Sequence, residues 1–168
     1  MSDITNVKLG VCSAVFNDTD LGHTQGGVIV TYTPTYHDVK VDKYGDTVVE
    51  KTLLGESLKA KVPLAETTLA NLQVAIPEGT TDGSKVTIGS TVGDSLSDNA
   101  HQLVLHPIAN AADNLDDDVV LHKAVVSNEI AIGFNNDGEK IFEVEFEALL
   151  DETKSDGNYL GFLGDSTS

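Results

Sequence analysis

VVLHKAVVSNEIAIGFNNDGEKIFEVEFEAL, from Val119 to Leu149, decides the fold. Near its end Phe142, Val144, Phe146 and Ala148 alternate with Glu143, Glu145 and Glu147. A strand turns successive side chains to opposite faces, so this run has one apolar face and one row of carboxylates. Phe and Val also suit a pleated, half-buried surface. At its start, Val119, Leu121 and Val125 alternate with Val120, His122, Ala124 and Val126, the pattern of a strand buried on both faces. Between them lies Asn135-Asn136-Asp137-Gly138. Those residue types tolerate the positive φ of tight turns, which predicts an antiparallel hairpin of Ile130–Phe134 with Lys140–Leu149.

Outward from this stretch the chain reads mostly as short strands. Val11–Phe16 is a strand closed by the turn residues Asn17-Asp18-Thr19-Asp20, and Leu21–Gln25 is expected to pair back. Consecutive Gly26 and Gly27 suggest a bulge or a close backbone approach. Val28–Thr33 and Tyr36–Val41 alternate as strands, with pairing expected to weaken at Pro34 between them. Asp42–Gly55 reads as a long polar connection centred on Asp42, Lys43, Tyr44, Gly45 and Asp46. Connections of that length inside a compact domain usually carry function. Glu56–Leu64 alternates again, Leu58, Ala60, Val62 and Leu64 inward, Lys59 and Lys61 outward. Those lysines would face the Glu143, Glu145, Glu147 row if the two strands are neighbours.

Glu66–Ala75 is the one good helix, with Thr67 as its cap, Leu69, Leu72 and Ile76 at helical spacing, and Pro77 as its stop. Thr80–Ala100 is loop-rich with a short strand near Lys85–Ile88, and His101–His106 alternates as a strand. Ile108–Asp118 is a second long connection ending in Asp116, Asp117 and Asp118. Tyr159–Leu163 is a last short strand, and Gly164–Ser168 reads as a frayed tail. The sum is a mainly β protein: a single domain over residues 1–168, a β-sandwich or open barrel of about eight strands with one flanking α-helix.

Composition narrows the function. Ten lysines against 27 acids, with no arginine, leave a formal charge of −17. Arginine is the usual bidentate reader of guanine and phosphate, and a surface of this sign repels a nucleic-acid backbone. The single Cys12 excludes an internal disulfide and falls in a strand, where a buried, inert thiol is expected. No apolar run approaches the roughly 20 residues that span a bilayer. The opening MSDITNVKLG lacks a charged-then-apolar leader, so no secretory export and no membrane binding are expected.

Catalytic constellations are missing: no phosphate loop, dinucleotide glycine fingerprint, nucleophile elbow or HExxH is present. Among the five histidines, His101 and His106 are five apart on one strand and face opposite sides. Asp113, Asp116, Asp117 and Asp118 lack the spacing of a calcium loop and read as a solvated acidic loop. No enzyme activity, cofactor or metal is expected.

Three stretches carry a family resemblance. LHKAVVSNEIAIGFNNDGEKIFEVEFEALLDE resembles the C-terminal part of the tail tube, or major tail, proteins of long-tailed bacteriophages. LGVCSAVFNDTDLGHTQGGVIV resembles their N-terminal part, and DKYGDTVVEKTLLGESLKAKVPLAETTLANLQVAIP their long loop, strand and single helix. The resemblance runs from about Lys8 to Leu163 and is weak from Thr80 to Asn114. It implies a virion structural subunit, assembled in the bacterial host cytoplasm into hexameric rings that stack head to tail. The lumen of such a tube conducts DNA during ejection. The implied partners are further copies of the chain, a tape-measure protein, a tail terminator and tail tip proteins, with only transient, non-specific passage of DNA. The resemblance places Asp42–Asp46 in an inter-ring loop. An acidic lumen lets a duplex slide without sticking, so Glu143, Glu145 and Glu147 are candidates for the lumen face. The alternative reading is a non-catalytic β-sandwich binding or decoration module, carbohydrate-binding or Ig-like.

Overall fold

The computed structural model describes residues 10–134, 138 and 140–165. The chain forms β1 (Cys12–Phe16), β2 (Thr19–Asp20), β3 (Ile29–Lys40), β4 (Val48–Leu64) and α1 (Leu69–Ala75), in that order. There follow β5 (Thr80–Asp82), β6 (Lys85–Thr87), β7 (His101–Pro107), β8 (Val119–Val126), β9 (Phe142–Ala148) and β10 (Gly161–Leu163). Eight of these strands make one antiparallel sheet in the order β2-β1-β7-β8-β9-β4-β3, with β10 paired to β8, while β5 and β6 form a separate small hairpin.

The sheet closes round its own apolar face. Phe16 of β1 and Phe146 of β9 stand three strand spacings apart, roughly 14 Å in a flat sheet. Their ring centroids nevertheless lie 5.1 Å apart. The sheet must therefore curl, and β8 is the strand on which it turns. Its first half carries β7 on one side and β10 on the other; its second half pairs with β9. Inside the curl, alternate residues of β4, β7, β8 and β9 join Ala14, Phe16, Leu21 and Ala75 in one core. The architecture is thus mainly β with one helix at its side, as the alternation of strands predicts.

Helix α1 starts later than the sequence suggests. Its cap is Thr68, whose hydroxyl accepts from the Asn71 amide at 3.1 Å, and not Thr67. Asn71 explains the offset. Its side-chain amide donates to the carbonyls of Leu21 and Glu66 at 2.8 and 2.9 Å, which ties the helix start to the segment after β2. That segment runs beside the end of β4, with Thr24 bridged to Leu64, more than it pairs back on β1. Gly26 and Gly27 follow at φ of 105° and 86°, conformations that side-chain-bearing residues avoid.

Among the described residues, Ile130–Phe134 and Lys140–Leu149 do not pair as the expected hairpin. β9 pairs instead with β8, in the register Ala124 to Ala148 and Val126 to Phe146. Past Val126 the side chain of Asn128 takes over, accepting from the Glu145 amide at 2.8 Å and donating to the Glu143 carbonyl at 3.0 Å. A side-chain amide here does the work of a strand peptide, so Ile130–Phe134 stays outside the sheet. Phe134, at the end of the expected first strand, is 87% exposed, with Lys140 Nζ 4.5 Å from its ring centroid. The expected turn residues Asn135, Asn136 and Asp137 lie outside the described residues.

The expected tail is tied down at its start, where the Gly164 amide donates to the Asp118 carbonyl at 2.8 Å. Residues 166–168 lie outside the described residues. Strand β10 comes so close to β8 that a Cβ on Gly161 would sit 2.1 Å from the Val120 oxygen. Only glycine fits that approach.

Candidate functional site

Most of the stretch read as a connection from Asp42 to Gly55 is strand. β3 and β4 pair along their length and leave only a short tip, with a 3-10 turn at Asp42–Tyr44. Pro34 does not divide β3, because β3 is the edge strand and has an open side where a missing N–H is tolerated. The pairing slips twice, between Thr35 and Tyr36 and between Val39 and Lys40. Each slip leaves one β4 residue without an opposite number, Leu54 at the first and Val49 at the second. The doublets Val48-Val49 and Leu53-Leu54 sit at these bulges. A bulge resets the two-residue period, which is why alternation in the sequence vanishes here.

The outer part of this ribbon is an arm with neither face covered. Every β4 residue from Val48 to Glu56 is exposed, and so are Thr35 to Asp38 opposite them. At about 3.3 Å per residue, Val48 to Gly55 alone project roughly 25 Å from the curled sheet. The arm is held by the Lys51–Asp38 pair at 2.5 Å, the Lys40–Asp46 pair at 3.4 Å and the Tyr32 hydroxyl donating to Glu56 at 2.7 Å. The Lys51 ammonium holds the Asp38 carboxyl below its usual range. Exposed along the arm are Tyr36, Val41, Tyr44, Val48, Leu53 and Leu54, the last at 66%. The candidate residues Asp42, Lys43, Tyr44, Gly45 and Asp46 are all at its tip and all exposed.

A two-stranded ribbon by itself is marginally stable in water. Apolar side chains gathered along such a ribbon mark an interaction surface.

Glu143, Glu145 and Glu147 do share the outward face of β9, beside β4 as expected. They are not a bare acidic row. Lys59 reaches Glu145 at 3.0 Å and Glu147 at 3.6 Å, and Lys61 reaches Glu143 at 2.7 Å. Hydrogen bonding to Glu145, with both carboxylates nearby, raises the pKa of Lys59. Two cations against three carboxylates leave a net of one negative charge (2 − 3 = −1) on this face. Ser127 adds a hydroxyl donated to Glu147 at 3.2 Å.

The acidic connection before β8 is not wholly solvated. Asp118 is only 5% exposed, with its carboxylate 2.6 Å from His106 Nδ1, and Asn110 donates to Asp117 at 2.9 Å. Ser13 lies opposite His106 in the β1–β7 register, and Asp118 reaches His106 from the connection just before β8. The chemistry of a nucleophile is nevertheless lacking. The Ser13 hydroxyl donates to the His106 backbone oxygen at 3.3 Å, and His106 Nε2 is sealed from solvent without a partner. A general base needs its free nitrogen open to the attacking group. His101 lies elsewhere, edge-on to Phe16 at 5.7 Å. Cys12 is half-buried, and burial pushes its thiol up.

A groove of about 440 Å³ opens between α1 and the β1 end of the sheet, over Phe16, Leu69, Ala70, Val74 and Val126. Its lining includes no lysine, aspartate or glutamate. Sequence periodicity does not foresee it, because it joins residues from five separate segments. Among the described residues no group of three or more His, Cys, Asp or Glu is placed to hold a metal ion. No helix among them is long and apolar enough to cross a membrane. No protein-family model matches the chain, and no curated protein matches it.

Proposed function

We propose that this chain is the structural subunit of a bacteriophage tail tube, self-assembling into stacked hexameric rings whose lumen conducts DNA during ejection. One observation carries the reading: the β3–β4 arm, with apolar side chains exposed along a ribbon that buries neither face. Such a ribbon gains order when a second chain covers it, and β3 is also a twelve-residue edge strand. A contact between unlike surfaces that does not close on itself generates a filament, which is what a tube of stacked rings requires. The sequence resemblance supports the same assignment, including the tip Asp42–Asp46 as the inter-ring element. The tape-measure, terminator and tip proteins are partners on this reading, and DNA passes without being gripped.

Electron microscopy of the purified protein tests it. Rings or tubes are expected. A variant with Tyr44, Gly45 and Asp46 deleted should fold as before and fail to elongate. Normal tubes from that variant would remove the arm tip from assembly.

A second reading draws on a specific observation as well. Tyr32, Tyr36 and Tyr44, three of the four tyrosines, are exposed on β3 and at the arm tip. Exposed aromatics on a β frame are what a carbohydrate-binding module presents. Glycan binding by a steady monomer would favour that module over the tube.

A further inference from the structure

We infer that the uncharged groove beside α1 is the receptor for the arm tip of a second copy of this chain. The inference rests on the self-assembly reading above and adds the surface on which the arm lands. Two copies carrying −17 each repel, so a stable contact must fall where neither brings an unbalanced charge. Among the described residues, the arm tip and the groove are both such places. Residues 40–48 at the arm tip carry Lys40 and Lys43 against Asp42 and Asp46, a net of zero (2 − 2 = 0). The groove lining holds no lysine, aspartate or glutamate, His101 being its one titratable side chain, whereas smaller cavities are lined by Glu78, Asp94 or Glu143.

Shape and chemistry agree. The groove floor is apolar, and its volume of about 440 Å³ falls in the range that accepts a few large side chains. Its rim amides are largely occupied by their own chain: Gln73 donates to Gly79 at 2.7 Å and accepts from Thr81 at 2.6 Å, and Asn99 donates to Pro77 at 3.1 Å. What remains to offer is apolar surface. The tip brings Val41, Tyr44 and Val48, all exposed, and Tyr44 pairs an apolar ring with a hydroxyl that can stay at the wet rim. No arm residue lines the groove of its own copy, and the arm is uncovered along both faces. The contact is therefore between copies, arm to groove, and heterologous.

Paired cysteines read the contact directly. In a Cys12→Ser background, Tyr44→Cys protein is mixed with Gln73→Cys protein under mild oxidation. A disulfide-linked dimer should form only from the mixture. Ala70→Glu, an exposed helix position that tolerates the change, should leave the circular dichroism unaltered and weaken self-association at least about tenfold. An apolar fluorescent dye should enter the groove of the monomer and be displaced on assembly. Rings or tubes without the cross-link, and without an effect of Ala70→Glu, overturn the docking site while leaving the self-assembly reading intact. Dye retained through assembly also overturns it, and makes the groove a small-molecule site. A chain that stays monomeric at every concentration and salt overturns both.

Discussion

Phe146 sits at the centre of the curl, fully buried and against the ring of Phe16. Phe146→Ala should cost about 3–5 kcal/mol in a chemical denaturation curve, because the site is braced by strands that cannot collapse into the void. A loss below about 1 kcal/mol would show that the cavity refills. Tyr32 gives a test by pH. Its hydrogen bond to Glu56 pushes the phenol up to about 12 from an ordinary 10.0. The folded-state value is the higher one, so whatever stability this bond contributes is complete below about pH 10. It fades as pH climbs toward about 12. A phenolate absorbance titration should show a late component that disappears in Tyr32→Phe and moves to lower pH in Glu56→Gln. An unchanged curve in both variants would separate Tyr32 from Glu56.

At the scale of elements, β10 and the arm differ in what holds them. β10 is short and depends on close approach: Gly161→Ala would force a methyl against the Val120 oxygen, 2.1 Å from an ideal Cβ. Peeling β10 from β8 also strains the Gly164–Asp118 hydrogen bond. A destabilisation of about 1–3 kcal/mol is expected, the usual range for overpacking, measured by denaturant midpoint. The arm has nothing comparable to lose in the free subunit. Its backbone hydrogen bonds are open to water on both faces, the condition for opening without global unfolding. Amide exchange along Thr35–Gly55 should therefore be fast in the monomer and slow in the assembled state. Equal protection in the two states would mean that nothing covers the arm.

For the whole molecule the governing quantity is the charge of −17, with five of the ten lysines engaged inside the chain. Lys40, Lys51, Lys59, Lys61 and Lys85 each pair with a carboxylate of their own chain. Acids outnumber lysines 27 to ten, so any two copies approach against repulsion. Salt shortens the reach of that repulsion, to about 10 Å at 0.1 M and about 3 Å at 1 M, while apolar contacts persist. Self-association measured by sedimentation should strengthen as salt rises. Weakening with salt would mean that ion pairs, not apolar side chains, hold the copies together. The salt-bridged β9 face also contributes less field than three free carboxylates would, so a lumen role for Glu143, Glu145 and Glu147 requires the lysines in the account.

Some of this is legible in the residues alone. The alternation of Phe142 to Ala148, of Leu58 to Leu64 and of His101 to His106 specifies strands and their inward faces, because period two is a local property of the extended backbone. The pairing of Lys59 and Lys61 with the β9 glutamates follows once the two strands are neighbours. What the sequence leaves open is which strands those neighbours are. Asn128 replaces a strand peptide at the β9 edge, so β8 rather than Ile130–Phe134 becomes the partner, and Phe134 is left in water. Two bulges erase the alternation of the arm, so a strand of seventeen residues reads as a loop until its partner is seen. The burial of Asp118 under His106 folds the connection before β8 back on β7, and the groove over Phe16 and Val126 joins segments far apart in the chain. Local periodicity determined the strands; the tertiary fold decided their neighbours, because partner choice rests on long-range burial that no single segment contains.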